Sequence, residues 1–260
     1  MIYIYNSLET LLLPEIEGEL RKLTADMTQT GLTLALVTLQ PVWSLVRGLT
    51  EGPEGMLSLG DVEKGSQTSM NEGTTLWLQY GKMLSAYYYC DYDLALKYSV
   101  GIHYLYTKFR YNSVACGFII FGECMVLLAH ARNGPITRLR NVFYVKRRLK
   151  LLEHAAYMAP ENLLDKQHLL QAELAVIHGN PKKACMNYRS GILHARSQGR
   201  RGMESLGNER LAKYLVESGQ VNDAILLLDE ACRLYEEWGA RYKVNSLREY
   251  RDSLLLPTGA

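Results

Sequence analysis

The chain has 260 residues, of which 48% are hydrophobic and 22% are charged, a balance typical of soluble globular proteins. This length can form one long domain or two ordinary domains with a sizeable core. The formal net charge of +2 is too small to indicate, by itself, a nucleic-acid-binding or membrane-surface protein.

The first 49 residues predict a pair of helices. Apolar residues recur at helical spacing over residues 6–27 and again over residues 32–49. Pro14 indicates either a kink in the first helix or a helix start near Leu13, because proline is tolerated in a first turn. Pro41 interrupts the second helix and is expected to bend it.

Residues 50–71 are rich in glycine and polar residues, which predicts a flexible loop between the N-terminal pair and the rest of the chain. Residues 72–158 then predict central helical repeats, with helices at 74–89, 94–109 and 112–133, the last of them containing the apolar run 114–129, and a long basic helix at 135–158. The third of these is apolar on nearly all sides. Its apolar run is shorter than the roughly 20 apolar residues of a membrane span, so a buried core helix is favoured over a membrane-attached segment.

Residues 161–253 contain a repeat. Gly179, Ala184 and Gly199 each reappear 40 positions later. Each glycine is expected to end a helix in the left-handed conformation, and each alanine is expected where two helices cross closely. Ala95 follows Cys90 at the same five-residue offset, which gives a third, weaker copy of the pattern. The predicted structural positions of this register are Ala95, Gly179, Ala184, Gly219, Ala224, Trp238 and Gly239.

These patterns predict an all-α fold, in which about eleven helices form antiparallel pairs stacked into a right-handed superhelix. A superhelix of this kind presents an extended concave surface, and the first helices of the last two pairs are expected to line it. Contact residues on that surface would include His168, Gln171 and Lys213.

The G-x-x-x-x-A turn between two amphipathic helices resembles that of the tetratricopeptide repeat. The spacing of 40 residues is longer than the usual repeat of about 34, and no proline follows Ala184 or Ala224 at the usual place, which suggests a divergent relative.

The C-terminal pattern Y-x-x-W-G-A-x-x-K-V-x-x-L, from Tyr235 to Leu247, is similar to the close of the helical-repeat region in large multidomain signalling ATPases, including kinase-fused ones. YYYCDYDLAL at 87–96 and TLQPVWSLVRGLTEG at 38–52 look like other parts of the same region. The resemblance implies a regulatory arm that follows a nucleotide-binding domain, and it carries over no catalytic residue.

The sequence offers no catalytic constellation. It lacks a G-x-x-x-x-G-K-[ST] phosphate loop, a G-x-S-x-G nucleophile turn, and any His or Cys pair at close metal-ligand spacing. We therefore expect no enzyme activity in this chain, no cofactor and no metal. The five cysteines form no C-x-x-C pair, which favours structural thiols in a reducing compartment and predicts a cytoplasmic protein.

A basic segment in the helix predicted at 135–158 is the main candidate for partner binding. At helical spacing Arg140, Arg147 and Lys150 share one side, which fits either a solvated helix face or a docking patch for an acidic partner, an anionic lipid or a nucleic-acid backbone. Arg196, Arg200 and Arg201 form a second basic group at the Gly199 turn. We expect a protein partner, within the same polypeptide or on another, and neither nucleic acid nor a membrane.

Two further interpretations stay open. Trp238 can wedge between the last helix pair and the closing helix, or it can stack on a ligand. The tyrosine-rich helices around Tyr87, Tyr88, Tyr98 and Tyr106 can enclose a small apolar molecule, which would make the chain an independent ligand-sensing domain.

Overall fold

In the computed structural model, which describes residues 9–55, 72–109 and 114–255, the chain is all-α. These ranges contain eleven α-helices and no strand, which confirms the predicted fold class. The helices are α1 Leu13–Gln29, α2 Thr33–Glu51, α3 Glu72–Tyr88, α4 Tyr92–Phe109, α5 Val114–His130, α6 Pro135–Met158, α7 Pro160–Ile177, α8 Pro181–Ser197, α9 Arg201–Glu217, α10 Val221–Trp238 and α11 Arg241–Leu255. Short 3₁₀ turns lie at Pro53–Gly55 and Ala131–Asn133.

Each helix packs against the next one along the chain. The apolar faces predicted from sequence supply these contacts, as α10 illustrates: Ala224, Leu228, Ala231 and Tyr235 are fully buried. They recur at steps of four, three and four residues, which is one face of a helix. Consecutive packing is the arrangement expected of a helical-repeat chain.

Left-handed glycines end four of the C-terminal helices at the predicted positions. Gly179, Gly199, Gly219 and Gly239 have φ angles of 66°, 66°, 78° and 95°. Glycine adopts this conformation without the steric cost that a Cβ atom brings. Ala95, Ala184 and Ala224 are fully buried, so the alanines of the register occupy packed positions.

The proline positions refine the predicted helix bounds. α1 is continuous from Leu13 with Pro14 in its first turn, which is the second of the two starts considered. Pro41 lies inside α2, and the helix is continuous from Thr33 to Glu51 although one backbone hydrogen bond is lost there. α7 begins at Pro160 rather than after it, since proline also fits a first turn. Most of the loop predicted at 50–71 lies outside the described residues.

α5 lies in the core, as predicted. Phe118, Ile119, Ile120, Phe121 and Met125 are all buried. No helix among the described residues has the length and apolar character needed to span a bilayer.

The two ends of the described chain meet. The closing helix α11 packs against α2 as well as against its neighbour α10. A Cβ atom on Gly239 would lie 2.6 Å from Cδ of Pro14 in α1. The ammonium of Lys243 in α11 donates to the backbone carbonyl of Tyr88 at 2.5 Å. The C-terminal helices are therefore covered on one side by the N-terminal half of the chain.

Candidate interaction surface and buried charge network

α6 exposes one long face to solvent. Its buried residues, Asn141, Val145, Leu152 and Ala156, follow steps of four, seven and four and therefore lie on one side of the helix. Asn141 fixes this orientation by donating its amide to the carbonyl of Leu127 in α5 at 2.8 Å. The opposite side carries large apolar residues that are at least half exposed, namely Ile136, Leu139, Phe143, Leu151, Tyr157 and Met158.

The charged residues on the exposed side of α6 are all cationic. Arg140, Arg147 and Lys150 are exposed, and helical spacing places them among the apolar residues of this side. Within the described ranges none of these three joins an ion pair, although the guanidinium of Arg147 lies 5.8 Å from the ring centre of Phe143. We call this surface, Ile136, Leu139, Arg140, Phe143, Arg147, Lys150, Leu151, Tyr157 and Met158, the α6 face.

Two of the other predicted contact residues have partners within the chain. Gln171 donates its side-chain amide to Glu153 of α6 at 3.0 Å. The ammonium of Lys213 contacts a carboxylate oxygen of Glu209 at 2.7 Å. His168 is half-buried on α7, and its Nδ1 has no hydrogen-bond partner in the described structure.

The helix α9 is buried along nearly its whole length, from Gly202 to Ala212. Its apolar residues pack as expected, but it also carries charged residues into the interior. Arg210 makes two hydrogen bonds to Glu173 of α7, at 2.6 and 2.8 Å, and Tyr188 donates its hydroxyl to the same carboxylate at 2.7 Å. Burial raises the pKa of Glu173, but the Arg210 guanidinium outweighs burial and lowers it.

A second group of buried charges centres on Glu209. One carboxylate oxygen accepts from Lys213 at 2.7 Å and from Lys243 at 2.8 Å, and the other accepts from the hydroxyl of Tyr235 at 2.9 Å. Burial opposes ionisation of Glu209, but the two ammonium groups hold its pKa well below the ordinary value. This group, which we call the Glu209 cluster, joins α9, α10 and α11.

The third buried group lies at the Gly199 turn. The sequence places Arg200 with Arg196 and Arg201 in one basic group, but the structure buries Arg200 against Asp165, with a 2.9 Å hydrogen bond. Lys166 pairs with Glu9 at 2.6 Å and lies 4.4 Å from the ring centre of Phe118. Sequence reasoning missed these pairs because the partners are far apart along the chain.

A cavity of about 380 Å³ opens beside the Glu209 cluster. Cys90 lines it from the turn between α3 and α4, and Tyr92 lines it from the start of α4. Lys213 lines it from α9, and Lys243 and Tyr250 line it from α11. It is the place where tyrosine, lysine and cysteine side chains converge beside solvent.

The tyrosines proposed to enclose an apolar molecule are packed against other protein groups. The ring of Tyr88 lies 6.2 Å from those of both Tyr235 and Trp238. The ring of Tyr87 lies 5.6 Å from that of Tyr92, and Tyr98 lies 5.9 Å from the ammonium of Lys82. The side chain of Tyr106 lies outside the described part of the structure.

Trp238 is buried against Tyr88 and the start of α9, where a Cβ on Gly202 would meet its ring at 2.8 Å.

An apolar groove also runs between α8, α9 and α10. Its volume is about 540 Å³, and Leu193 and Leu226 lie exposed along it. The groove is lined by one cation, Arg189, and one anion, Asp223, so its charge does not indicate whether a partner would be acidic or basic.

Among the residues that the structure describes, no group of His, Cys, Asp and Glu side chains could hold a metal ion.

In comparisons with known proteins, no family, no curated protein and no solved structure matches this chain.

Proposed function

We propose that this chain is a non-catalytic protein-interaction and regulatory scaffold that uses the α6 face to dock a protein partner. The stacked helix pairs form a right-handed superhelix in this proposal, and the chain serves as the helical-repeat arm of a signalling ATPase or kinase-like protein. The support comes from the consecutive packing of eleven helices, from the C-terminal W-G-A-x-x-K-V residues Trp238 to Val244, and from the α6 face.

The α6 face carries the proposal because it combines two properties. Large apolar side chains in a contiguous exposed patch are typical of surfaces that bind another protein. The cations among them, Arg140, Arg147 and Lys150, join no ion pair in the described structure. A negatively charged partner would complement them. An amphipathic helix with acidic residues beside its apolar face fits both properties.

The experiment replaces Phe143 with a photo-crosslinking amino acid in the full-length chain and irradiates living source cells. Met186 on α8 is the matched control position, because both side chains are 58% exposed. We expect Phe143, and not Met186, to crosslink to one segment, which peptide mass spectrometry should show to be acidic and amphipathic. That segment should belong to a protein with a nucleotide-binding domain, or to such a domain in the same polypeptide.

The second part of the experiment reverses the charges of the α6 face. The triple variant Arg140→Glu, Arg147→Glu and Lys150→Glu should weaken binding of the purified segment about tenfold or more. Lys182→Glu with Lys183→Glu, at two exposed positions on α8, should leave binding nearly unchanged. Equal crosslinking from both positions, or equal affinity of both charge variants, contradicts the proposal. Co-sedimentation with phosphatidylserine vesicles, lost in the triple variant, would replace the protein partner by an anionic membrane.

A further inference from the structure

Cys90 occupies an unusual position in the turn between α3 and α4. It has a φ of 62°, the left-handed conformation that glycine supplies at the other turns of the repeat. A side chain in this conformation costs about 1 kcal/mol. The backbone there directs the thiol toward α9, where its sulfur lies 3.1 Å from the ammonium nitrogen of Lys213. Cys90 is also the exposed cysteine of the chain, while Cys116, Cys124 and Cys232 are buried and Cys185 is half-buried.

The charges around the thiol do not balance without it. Lys213 and Lys243 share one carboxylate, that of Glu209, at 2.7 and 2.8 Å. The two nearest further cations are already paired, Arg210 with Glu173 and Arg132 with Glu217. Two ammonium groups against one carboxylate leave one positive charge, and a thiolate at Cys90 neutralises it. A charge left unbalanced in a partly buried site is costly, so the arrangement favours the anionic sulfur.

The remaining groups near Cys90 are neutral hydroxyls. Tyr92 comes from α4, Tyr235 from α10 and Tyr250 from α11, and burial raises the pKa of each above its ordinary value. Burial also raises the pKa of the Cys90 thiol, but Lys243 and Lys213 outweigh burial and lower it overall. The thiol therefore lies beside two cations that share one carboxylate and beside the paired Arg210 and Arg132. The other groups around it are neutral phenols, and Tyr89 lines the cavity with them.

We propose that Cys90 is a modification site, at which a thiolate held by Lys213 and Lys243 reacts with peroxides that enter the adjacent cavity. The cavity of about 380 Å³ has room for a small peroxide and is lined by Cys90 itself. This site is independent of the α6 face.

The reaction is a two-electron oxidation. The sulfur attacks one oxygen of hydrogen peroxide, an S–O bond forms, and the O–O bond breaks. Hydroxide leaves and takes the proton of the oxygen that was transferred to sulfur, which gives water and leaves the sulfur as a sulfenate. The sulfenate keeps the negative charge between Lys213 and Lys243 and adds an oxygen that can accept from either. Lys213 belongs to α9 and Lys243 to α11. Oxidation of Cys90 therefore changes the contacts at the point where the turn between α3 and α4 meets these two helices.

The test measures the rate of iodoacetamide alkylation at each cysteine of the full chain by peptide mass spectrometry between pH 5 and pH 10. We expect Cys90 to titrate below the ordinary thiol value of about 8.5. In Lys213→Met, which leaves Glu209 paired with Lys243, the rate at Cys90 at pH 7 should fall roughly three- to tenfold. Lys213→Arg keeps the charge and should restore most of the rate, and Cys185 serves as the internal reference.

A second measurement treats the protein with hydrogen peroxide and then with a dimedone-type sulfenate trap. The trap should label Cys90 before the other cysteines, and labelling should fall in Lys213→Met but not in Lys213→Arg. Circular dichroism of each variant establishes that the helices are retained. An alkylation pKa at or above the ordinary value, equal rates in the Met and Arg variants, or first labelling at another cysteine would overturn the proposal.

Discussion

Several charged residues in the interior of this molecule meet a partner of opposite charge. Glu209, Glu173 and Asp165 are buried, and each accepts from at least one buried cation on another helix or turn. Pairing offsets the cost of removing a charge from water, whereas removing one partner leaves that cost unopposed. The residues whose loss destabilises the fold most should therefore include these carboxylates.

Glu209→Gln should lower the free energy of unfolding by about 3–5 kcal/mol, because Lys213 and Lys243 would lose the carboxylate they share and keep only the Cys90 sulfur nearby. Urea denaturation at pH 7 measures this. Glu236→Gln, which removes an exposed ion pair with Arg248, should cost less than about 1 kcal/mol. Since the pKa of Glu209 is lowered in the folded state, its contribution is present above the unfolded pKa of about 4.3 and is lost as pH falls. Equal costs for the two variants would refute the buried pairing.

For Glu123 we expect the opposite dependence of folding stability on pH. It is buried in α5, and burial raises its pKa to about 7 although Arg148 lies 3.3 Å away and lowers it. Between about pH 4.3 and pH 7 the folded state keeps a proton that the unfolded state has lost, so stability falls as pH rises.

We expect Glu123→Gln to be free of this effect. The stability of Glu123→Gln relative to wild type should increase by about 2 kcal/mol between pH 5 and pH 8 in urea denaturation. His103, whose Nδ1 lies 3.6 Å from the carboxylate, faces the same group, and its pKa is lowered by burial and by Arg148. A difference between the two proteins that stays constant with pH would show that Glu123 is ionised in the fold throughout.

Helices in this chain approach each other closely where glycine replaces a larger residue. A Cβ on Gly207 in α9 would lie 2.6 Å from Cγ1 of Ile192 in α8, and one on Gly117 in α5 would lie 2.5 Å from Leu163 in α7. Glycine in a helix normally costs up to about 1 kcal/mol relative to alanine. At these positions the close packing of the two helices offsets the lower helix propensity of glycine.

Gly207→Ala should therefore destabilise the protein by about 1–3 kcal/mol through overpacking. Gly101→Ala is the matched control, because Gly101 also lies within a helix, α4, and a Cβ there meets nothing within 4 Å. That variant should be neutral or stabilise the protein by up to about 1 kcal/mol. Thermal unfolding followed by circular dichroism compares the two, and a stabilising Gly207→Ala would mean that α8 and α9 are not held at this distance.

Sequence periodicity predicted most elements because their information is local. The helix at 135–158 and the turns at Gly179, Gly219 and Gly239 depend on residues a few positions apart. The candidate sites depend on distance in space instead. Lys166 with Glu9 and Lys243 with the carbonyl of Tyr88 join residues more than 150 positions apart, and no helical pattern encodes such pairs. For the same reason Lys213 is predicted as a contact residue on an open surface and lies in an internal cluster.

At the scale of the whole molecule, the last turn of the repeat is coupled to the first helix. Gly219 and Gly239 both follow a helix with positive φ, but of the two only Gly239 is placed so that added volume meets another part of the chain, Pro14 in α1. The two glycines therefore separate the cost of a strained turn from the cost of disturbing the contact between the chain's two halves.

Gly219→Ala should lower the free energy of unfolding by about 1–2 kcal/mol, because alanine is strained in the left-handed conformation. Gly239→Ala should cost more and should also raise amide hydrogen exchange in α1, more than 200 residues away in sequence. Hydrogen exchange with peptide-level mass spectrometry measures both variants. Unchanged exchange in α1 for Gly239→Ala would show that the two ends open independently.

The pairing of Lys166 with Glu9 has a consequence for synthesis on the ribosome, because the two residues are 157 positions apart. At a typical elongation rate, about 8–30 s pass between the translation of one partner and of the other. During that interval the surfaces of α1, α3 and α5 that face the C-terminal repeats have nothing to pack against. The pairing of Lys166 with Glu9 can form once α7 has been made, and the contact of Lys243 with Tyr88 only after α11. The chain should thus mature late, and a chaperone would meet the nascent N-terminal half.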